Sequence, residues 1–236
     1  MKKALCCVLL LVLLFIFCGC SQEEVFTRNE NGNLVGTSNV EYSHLANEGF
    51  LDYFGELEFI GSVKGEEKES EHLGLEYQTG MFTIKGATND NILIRRAPYN
   101  EWCAIYRKTS LPEFDFSVDN CIRLEYLEGK ENRKRDITHS YCGDGITDKK
   151  VISAFLSEVR AQPTPEEAGL YDLVRKENGM LENCYINSSV YAFFAEEPNL
   201  AVMMEITSYN DLAYSIVIEG KEYVLPEEWF SKLKNS

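Results

Sequence analysis

The sequence predicts an α+β fold, an antiparallel β-meander followed by a helix-helix-antiparallel sheet-helix region. Three observations predict it. Short aromatic and β-branched runs separated by Gly, Asn, Asp or Pro fill residues 42 to 128. Helical spacing appears only after Gly143-Asp144-Gly145, and three further strand-length runs then precede a Pro-initiated helix at the C-terminus. Helices segregated from strands in this way are the pattern of α+β folds.

In chain order, the strand signals are Tyr53 to Ile60, Met81 to Lys85, Asn91 to Arg96, Trp102 to Lys108 and Cys121 to Leu127. The last alternates, with Ile122, Leu124 and Tyr126 on one face and Arg123 and Glu125 on the other, so one face is expected to be wet. Thr147 or Asp148 can cap a helix carrying Val151, Ile152, Phe155, Leu156 and Val159 as its apolar stripe. Thr164-Pro165-Glu166-Glu167 has the form of a capping box with Pro at the first helical position. A second helix is therefore expected to bury Leu170, Leu173 and Val174, place Arg175 and Lys176 in its last turn, and stop at Gly179. Ser189 to Ala195, Leu200 to Thr207 and Leu212 to Glu219 read as strands joined by turns, with a short strand at Glu222 to Leu225. Pro226 then opens a helix that buries Trp229, Phe230 and Leu233.

The chain has 236 residues, 44% of them hydrophobic, and carries 23 Lys plus Arg against 38 Asp plus Glu, a formal charge of −15. This is the composition of a globular chain with a sizeable core, and neither a disordered nor a polytopic membrane protein. Its charge repels nucleic acid, so no nucleic-acid partner is expected. Arg133, Lys134 and Arg135 form a basic cluster in a stretch that reads as a solvated loop.

Lys2 and Lys3 followed by the apolar run Ala4 to Phe17 have the layout of a secretory signal. The run falls short of the roughly 20 residues that a membrane-spanning helix needs. The stretch Phe17-Cys18-Gly19-Cys20 resembles the lipobox of bacterial lipoproteins, usually Leu, a small residue, Gly or Ala, then Cys. That resemblance covers the first 20 residues, and Phe17 and Cys18 depart from the commonest pattern. It implies cleavage after Gly19 and diacylglycerol on Cys20, hence a chain held at the outer face of the bacterial cytoplasmic membrane, a periplasm-facing site being the alternative. An uncleaved anchor and a freely secreted form are the other outcomes. The expected organisation is a signal peptide over 1–19, a lipidated N-terminus and flexible tether over 20–40, a mainly antiparallel β region over 41–130 and an α+β region over 145–236.

Four cysteines lie beyond the signal and Cys20, namely Cys103, Cys121, Cys142 and Cys184. Cys103 and Cys121 fall in strands expected to be neighbours, where a disulfide is geometrically feasible, buried reduced thiols being the alternative. Cys142 lies three residues after His139 and before the Gly-Asp-Gly turn into a helix, a place where a thiolate could be stabilised. Catalytic Cys and His are normally joined by the fold and not by the sequence, so no catalytic residue is assigned. Glu66, Glu67, Glu69 and Glu71 read as a solvated acidic run. Phosphate-loop, nucleophile-elbow and zinc-ligand patterns are missing, and no cofactor is expected. The expected function is a lipid-anchored surface protein whose acidic ectodomain binds a protein, peptide or envelope ligand. The rivals are an envelope enzyme using Cys142 with His139, and the ligand-capturing component of an importer.

Overall fold

Phe26, Leu34, Tyr42, Val63, Met81, Leu93 and Tyr106 all lie on short strands, and burying them together curls those strands into a closed barrel. A computed structural model describes residues 23–45, 51–65, 80–87, 90–96, 103–128, 145–177, 180–182 and 184–236. The chain forms two units. The first takes the described residues of Met1–His44, Phe59–Thr83 and Asn91–Ser110, the second those of Leu45–Glu58, Ile84–Asp90 and Leu111–Ser236.

The barrel begins with β1 (Glu24–Arg28), β2 (Leu34–Val35) and β3 (Glu41–His44), while β4 (Leu51–Tyr53) belongs to the second unit. It continues with β5 (Leu57–Val63), β6 (Gly80–Ile84), β7 (Ile92–Arg96) and β8 (Cys103–Lys108), in the order β1-β2-β3-β8-β7-β6-β5. Closure is parallel, with Glu24, Val25 and Phe26 opposite Gly61, Ser62 and Val63. Gly61 permits that approach, since a Cβ there would lie 1.9 Å from the Glu24 carbonyl oxygen. The interior is filled by side chains, Phe26 meeting Tyr42 edge to face at 6.4 Å between ring centroids.

The second unit is built on a six-stranded antiparallel sheet. Its strands are β4, β9 (Arg123–Glu128), β12 (Cys184–Phe193), β13 (Leu200–Tyr209), β14 (Ala213–Ile218) and β15 (Lys221–Leu225). The order is β15-β14-β13-β12-β9, and β4 pairs with the start of β13. A small separate hairpin joins β10 (Arg175–Glu177) to β11 (Met180–Glu182). Asp148 caps α1 (Lys149–Arg160), its side chain accepting from the Lys150 backbone N–H at 2.8 Å, and Ile152, Phe155, Leu156 and Val159 are buried as the stripe requires. Pro226 opens α2 (Glu227–Lys234), with Glu227 and Glu228 in its first turn and Lys232 and Lys234 in its last, both favourable to the helix dipole. The two helices share one core with one face of the sheet, through Leu124, Val190, Met204, Ile206, Ile216, Trp229 and Leu233 among others. Trp229 Nε1 donates to Glu158 Oε2 at 2.7 Å and ties the two helices together.

The α+β expectation is thus overturned. The chain is mostly β, with a closed seven-stranded barrel in place of an open meander, and two helices among the described residues. The second expected helix does not form, although its capping box does. The Thr164 N–H donates to Glu167 Oε2 at 2.8 Å, and the Glu167 N–H donates to Thr164 Oγ1 at 3.3 Å. One turn follows and ends at Gly169, whose φ of +69° is left-handed and terminates a helix. A 3-10 turn at Leu170–Leu173 leads into β10, so Arg175 and Lys176 lie on a strand and not in a last helical turn. The segment read as a tether supplies β1 and β2, because Phe26 and Leu34 are wholly buried in the barrel. Residues 129–144, where a boundary between the two regions was expected, lie outside the described residues.

Candidate functional site

In a β-strand alternate side chains point to opposite faces, so the helices cover only half of this sheet's residues. On the other face, cross-strand registers arrange the side chains in rows. Arg123, Phe193, Ala201 and Asp52 form the first row, and Glu125, Tyr191 and Met203 the second. Leu127, Ser189 and Glu205 form the third, continued by Val217 and Glu222 on β14 and β15. Ile186, Thr207, Ser215 and Val224 form the fourth, and Cys184, Tyr209 and Ala213 the fifth. A β-bulge between Ile186 and Ser188 makes this arrangement possible, since the extra residue shifts the alternation and brings Ile186 to the same face as Ser189.

Both ends of this face are covered. Phe54 packs on Tyr191 and Phe193, with centroids at 4.9 and 4.8 Å, and Leu170, Tyr171 and Val174 pack around Tyr209. Between the ends, Leu127, Met203, Glu205, Thr207 and Val217 are half-buried and Ile186 is 53% exposed. On the helix side of the same strand, Met204 and Ile206 are completely buried.

Four carboxylates share the open face, and three of them have a protein partner. Glu125 Oε1 lies 2.9 Å from Arg123 Nε, and the Arg123 guanidinium lies over the Phe193 ring at 4.3 Å. Burial pushes the Glu125 carboxyl up from the ordinary carboxylate range, with the Arg123 charge opposing. Glu222 Oε1 accepts from the Tyr209 hydroxyl at 2.9 Å and from the Ser215 hydroxyl. Burial pushes the Tyr209 phenol upward, and its hydrogen bond to Glu222 adds to the shift. Asp52 Oδ1 accepts from the Tyr53 backbone N–H at 2.9 Å. Glu205 is the exception, for burial alone raises its carboxyl and no hydrogen bond or ion pair satisfies it among the described residues. Ser189 lies opposite this half-buried carboxylate on β12 and Met203 and Thr207 flank it along β13, so it remains an acceptor open to a donor.

Cys20, His139 and Cys142, along with the acidic run Glu66 to Glu71 and the cluster Arg133 to Arg135, lie outside the described residues. The Cys103–Cys121 bridge is not made. Cys121 is a free thiol packed in the helix-side core with Val118 and Leu124, and burial pushes it up to about 11. Cys103 is half-buried on β8, opposite Arg96 of β7. Cys184 is half-buried beside Tyr209, and burial together with the Glu222 charge raises its thiol, the reverse of what a nucleophile needs. On the barrel, His44 lies 5.3 Å from the Tyr106 ring, and burial together with the charges of Arg28 and Arg95 lowers its imidazole. Among the described residues no three His, Cys, Asp or Glu side chains converge as metal ligands, and no helix is long and apolar enough to cross a membrane.

The sequence reading took Leu200 to Thr207 for a strand and passed over Glu205. The signal was present, because Glu205 is the single charged residue in the run Leu-Ala-Val-Met-Met-Glu-Ile-Thr. No family model matches the chain, and neither a curated protein nor a solved structure matches it.

Proposed function

We propose that the protein is a bacterial surface lipoprotein, held at the outer face of the cytoplasmic membrane by diacylglyceryl Cys20. Its acidic ectodomain holds a protein, peptide or envelope ligand on the sheet face opposite the two helices. The carrying observation is the contrast along β13, where Met204 and Ile206 are fully buried while Met203, Glu205 and Thr207 stay partly open beside exposed Ile186. A sheet sealed on one side only, with apolar groups and an unsatisfied carboxylate on the other, is suited to complementing a partner. The signal-like run Ala4 to Phe17 and Phe17-Cys18-Gly19-Cys20 support the anchor, since a diacyl chain retains a protein where a single chain holds it only marginally.

Two measurements test this. Intact mass of the membrane-extracted protein should equal residues 20–236 plus a diacylglyceryl group, and retention of Met1 to Gly19 overturns the lipid anchor. A photo-crosslinking residue at Thr207 should give discrete adducts in intact cells, whereas the same group at exposed Ser153 on α1 should not. Equal adducts from both positions, or none from Thr207, overturn the assignment of the face.

A further inference from the structure

We infer that the sheet surface around Glu205 receives an ammonium or guanidinium group on an aliphatic stem, the Lys or Arg side chain of a bound peptide. This rests on the reading that the open face holds the ligand, and it names the chemistry that face selects. Of the four carboxylates on the face, Glu125 is matched by Arg123, Glu222 by Tyr209 and Ser215, and Asp52 by the backbone. Glu205 alone has neither an ion pair nor a hydrogen bond to a protein group among the described residues. Met203 flanks it on the same strand face, Val217 and, beyond Ser189, Leu127 stand in its cross-strand row as an apolar wall, and Thr207 lies two residues along the strand.

Long basic side chains lay their methylenes along apolar surface and keep the charged head for a polar partner, which is the geometry this wall and carboxylate present. A neutral ligand would leave the carboxylate desolvated and unmatched, at a cost. An anionic ligand would meet both Glu205 and a chain whose formal charge is −15. The cation is therefore the occupant that offsets the burial of Glu205, and the apolar wall selects for the stem that carries it.

The test uses the full chain in detergent and three blocked pentapeptides, Ala-Xaa-Ala-Xaa-Ala, with Xaa lysine, Nε-acetyl-lysine or norleucine. Wild type should bind the lysine peptide about tenfold more tightly than the other two, the size of one well-made charge contact. Glu205→Gln should abolish that preference, and Glu205→Asp should retain part of it. Glu166→Gln, which removes the same charge from an exposed position in the turn before Gly169, should leave the preference intact. Binding without preference, or a preference that survives Glu205→Gln, overturns the cation assignment while the face remains a binding surface. Loss of preference in Glu166→Gln as well reduces the effect to general attraction and overturns it too. If no peptide binds wild type, the cation assignment falls, and the Thr207 crosslinks decide separately whether the face reading falls with it.

Discussion

The two faces of the sheet in the second unit are made by the same strands yet have opposite fates. Facing the helices, Leu124, Val190, Met204, Ile206 and Ile216 are each completely buried, and Trp229, Phe230 and Leu233 of α2 close over them. On the other side, the middle rows mix apolar side chains with carboxylates, and among the described residues the cover lies at the ends, in Phe54 and the segment around Leu170. The first face is held by area removed from water, at roughly 25 cal/mol per Å². The second carries charge that folding leaves only partly matched, so stability is concentrated on one side and binding chemistry on the other.

The largest break in that comparison should come from truncation on the helix side. Phe155 is fully buried and meets Trp229 edge to face at 5.4 Å, so Phe155→Ala should cost about 3–5 kcal/mol, a transfer loss plus a cavity. Met203→Ala on the open face should cost about 1 kcal/mol, because a half-buried side chain forfeits less area. Urea unfolding of both variants measures the difference. Equal losses would mean that the open face is packed as a second core, and the contrast would disappear.

A smaller effect is expected at the edge of the helix-side core, where Arg160 links three elements. Its guanidinium reaches Asp119 Oδ1 at 2.7 Å and Glu219 Oε2 at 3.0 Å, while Glu219 Oε1 accepts from the Ser117 hydroxyl and the Val118 backbone N–H. Every member is partly exposed, so solvent screens the network. Arg160→Gln should cost about 1 kcal/mol in dilute buffer and less in concentrated salt. An unchanged cost at 1 M salt would show that the Arg160 stem holds the hairpin by packing and not by charge.

Local signals read correctly where local physics decides. The stripe of α1, its Asp148 cap and the Pro226 start of α2 follow from spacing and capping chemistry alone, and both helices form over the expected residues. Four strands of the barrel, β5 to β8, were legible one by one, but β1, β2 and β3 were not, and neither was the closure. A parallel pairing of β1 with β5 leaves no periodicity in the chain, and β1 is short and polar apart from Val25 and buried Phe26. The capping box at Thr164 is a sound start signal that five residues later met a left-handed glycine, and the competing stop prevailed. On the open face the bulge before Ser188 reverses the alternation of β12, so Ile186 and Ser189 share a face that simple counting places apart. Arg123 and Glu125 do lie opposite Leu124, as alternation requires, but that face is not simply wet, since Glu125 is only 8% exposed and Arg123 lies over Phe193.

The smallest effect sharpens the comparison most, because it separates the roles of the two faces at one residue. Burial raises the folded-state carboxyl of Glu205 above its unfolded value, so ionising it opposes folding. That cost is nil below the unfolded pKa of about 4.3, where the group is protonated in both states. It grows as the pH rises through the folded value and is complete above it. Glu205→Gln should therefore be more stable than wild type at pH 7, with the difference fading toward pH 4. Thermal unfolding across that range, with Glu166→Gln as the exposed control, reads the sign directly. A Glu205→Gln variant less stable than wild type at pH 7 would mean that the folded chain already matches this carboxylate, leaving no vacancy for a ligand. The expected gain, by contrast, marks Glu205 as a charge retained against stability, and a saturating lysine peptide should then stabilise wild type more than the variant.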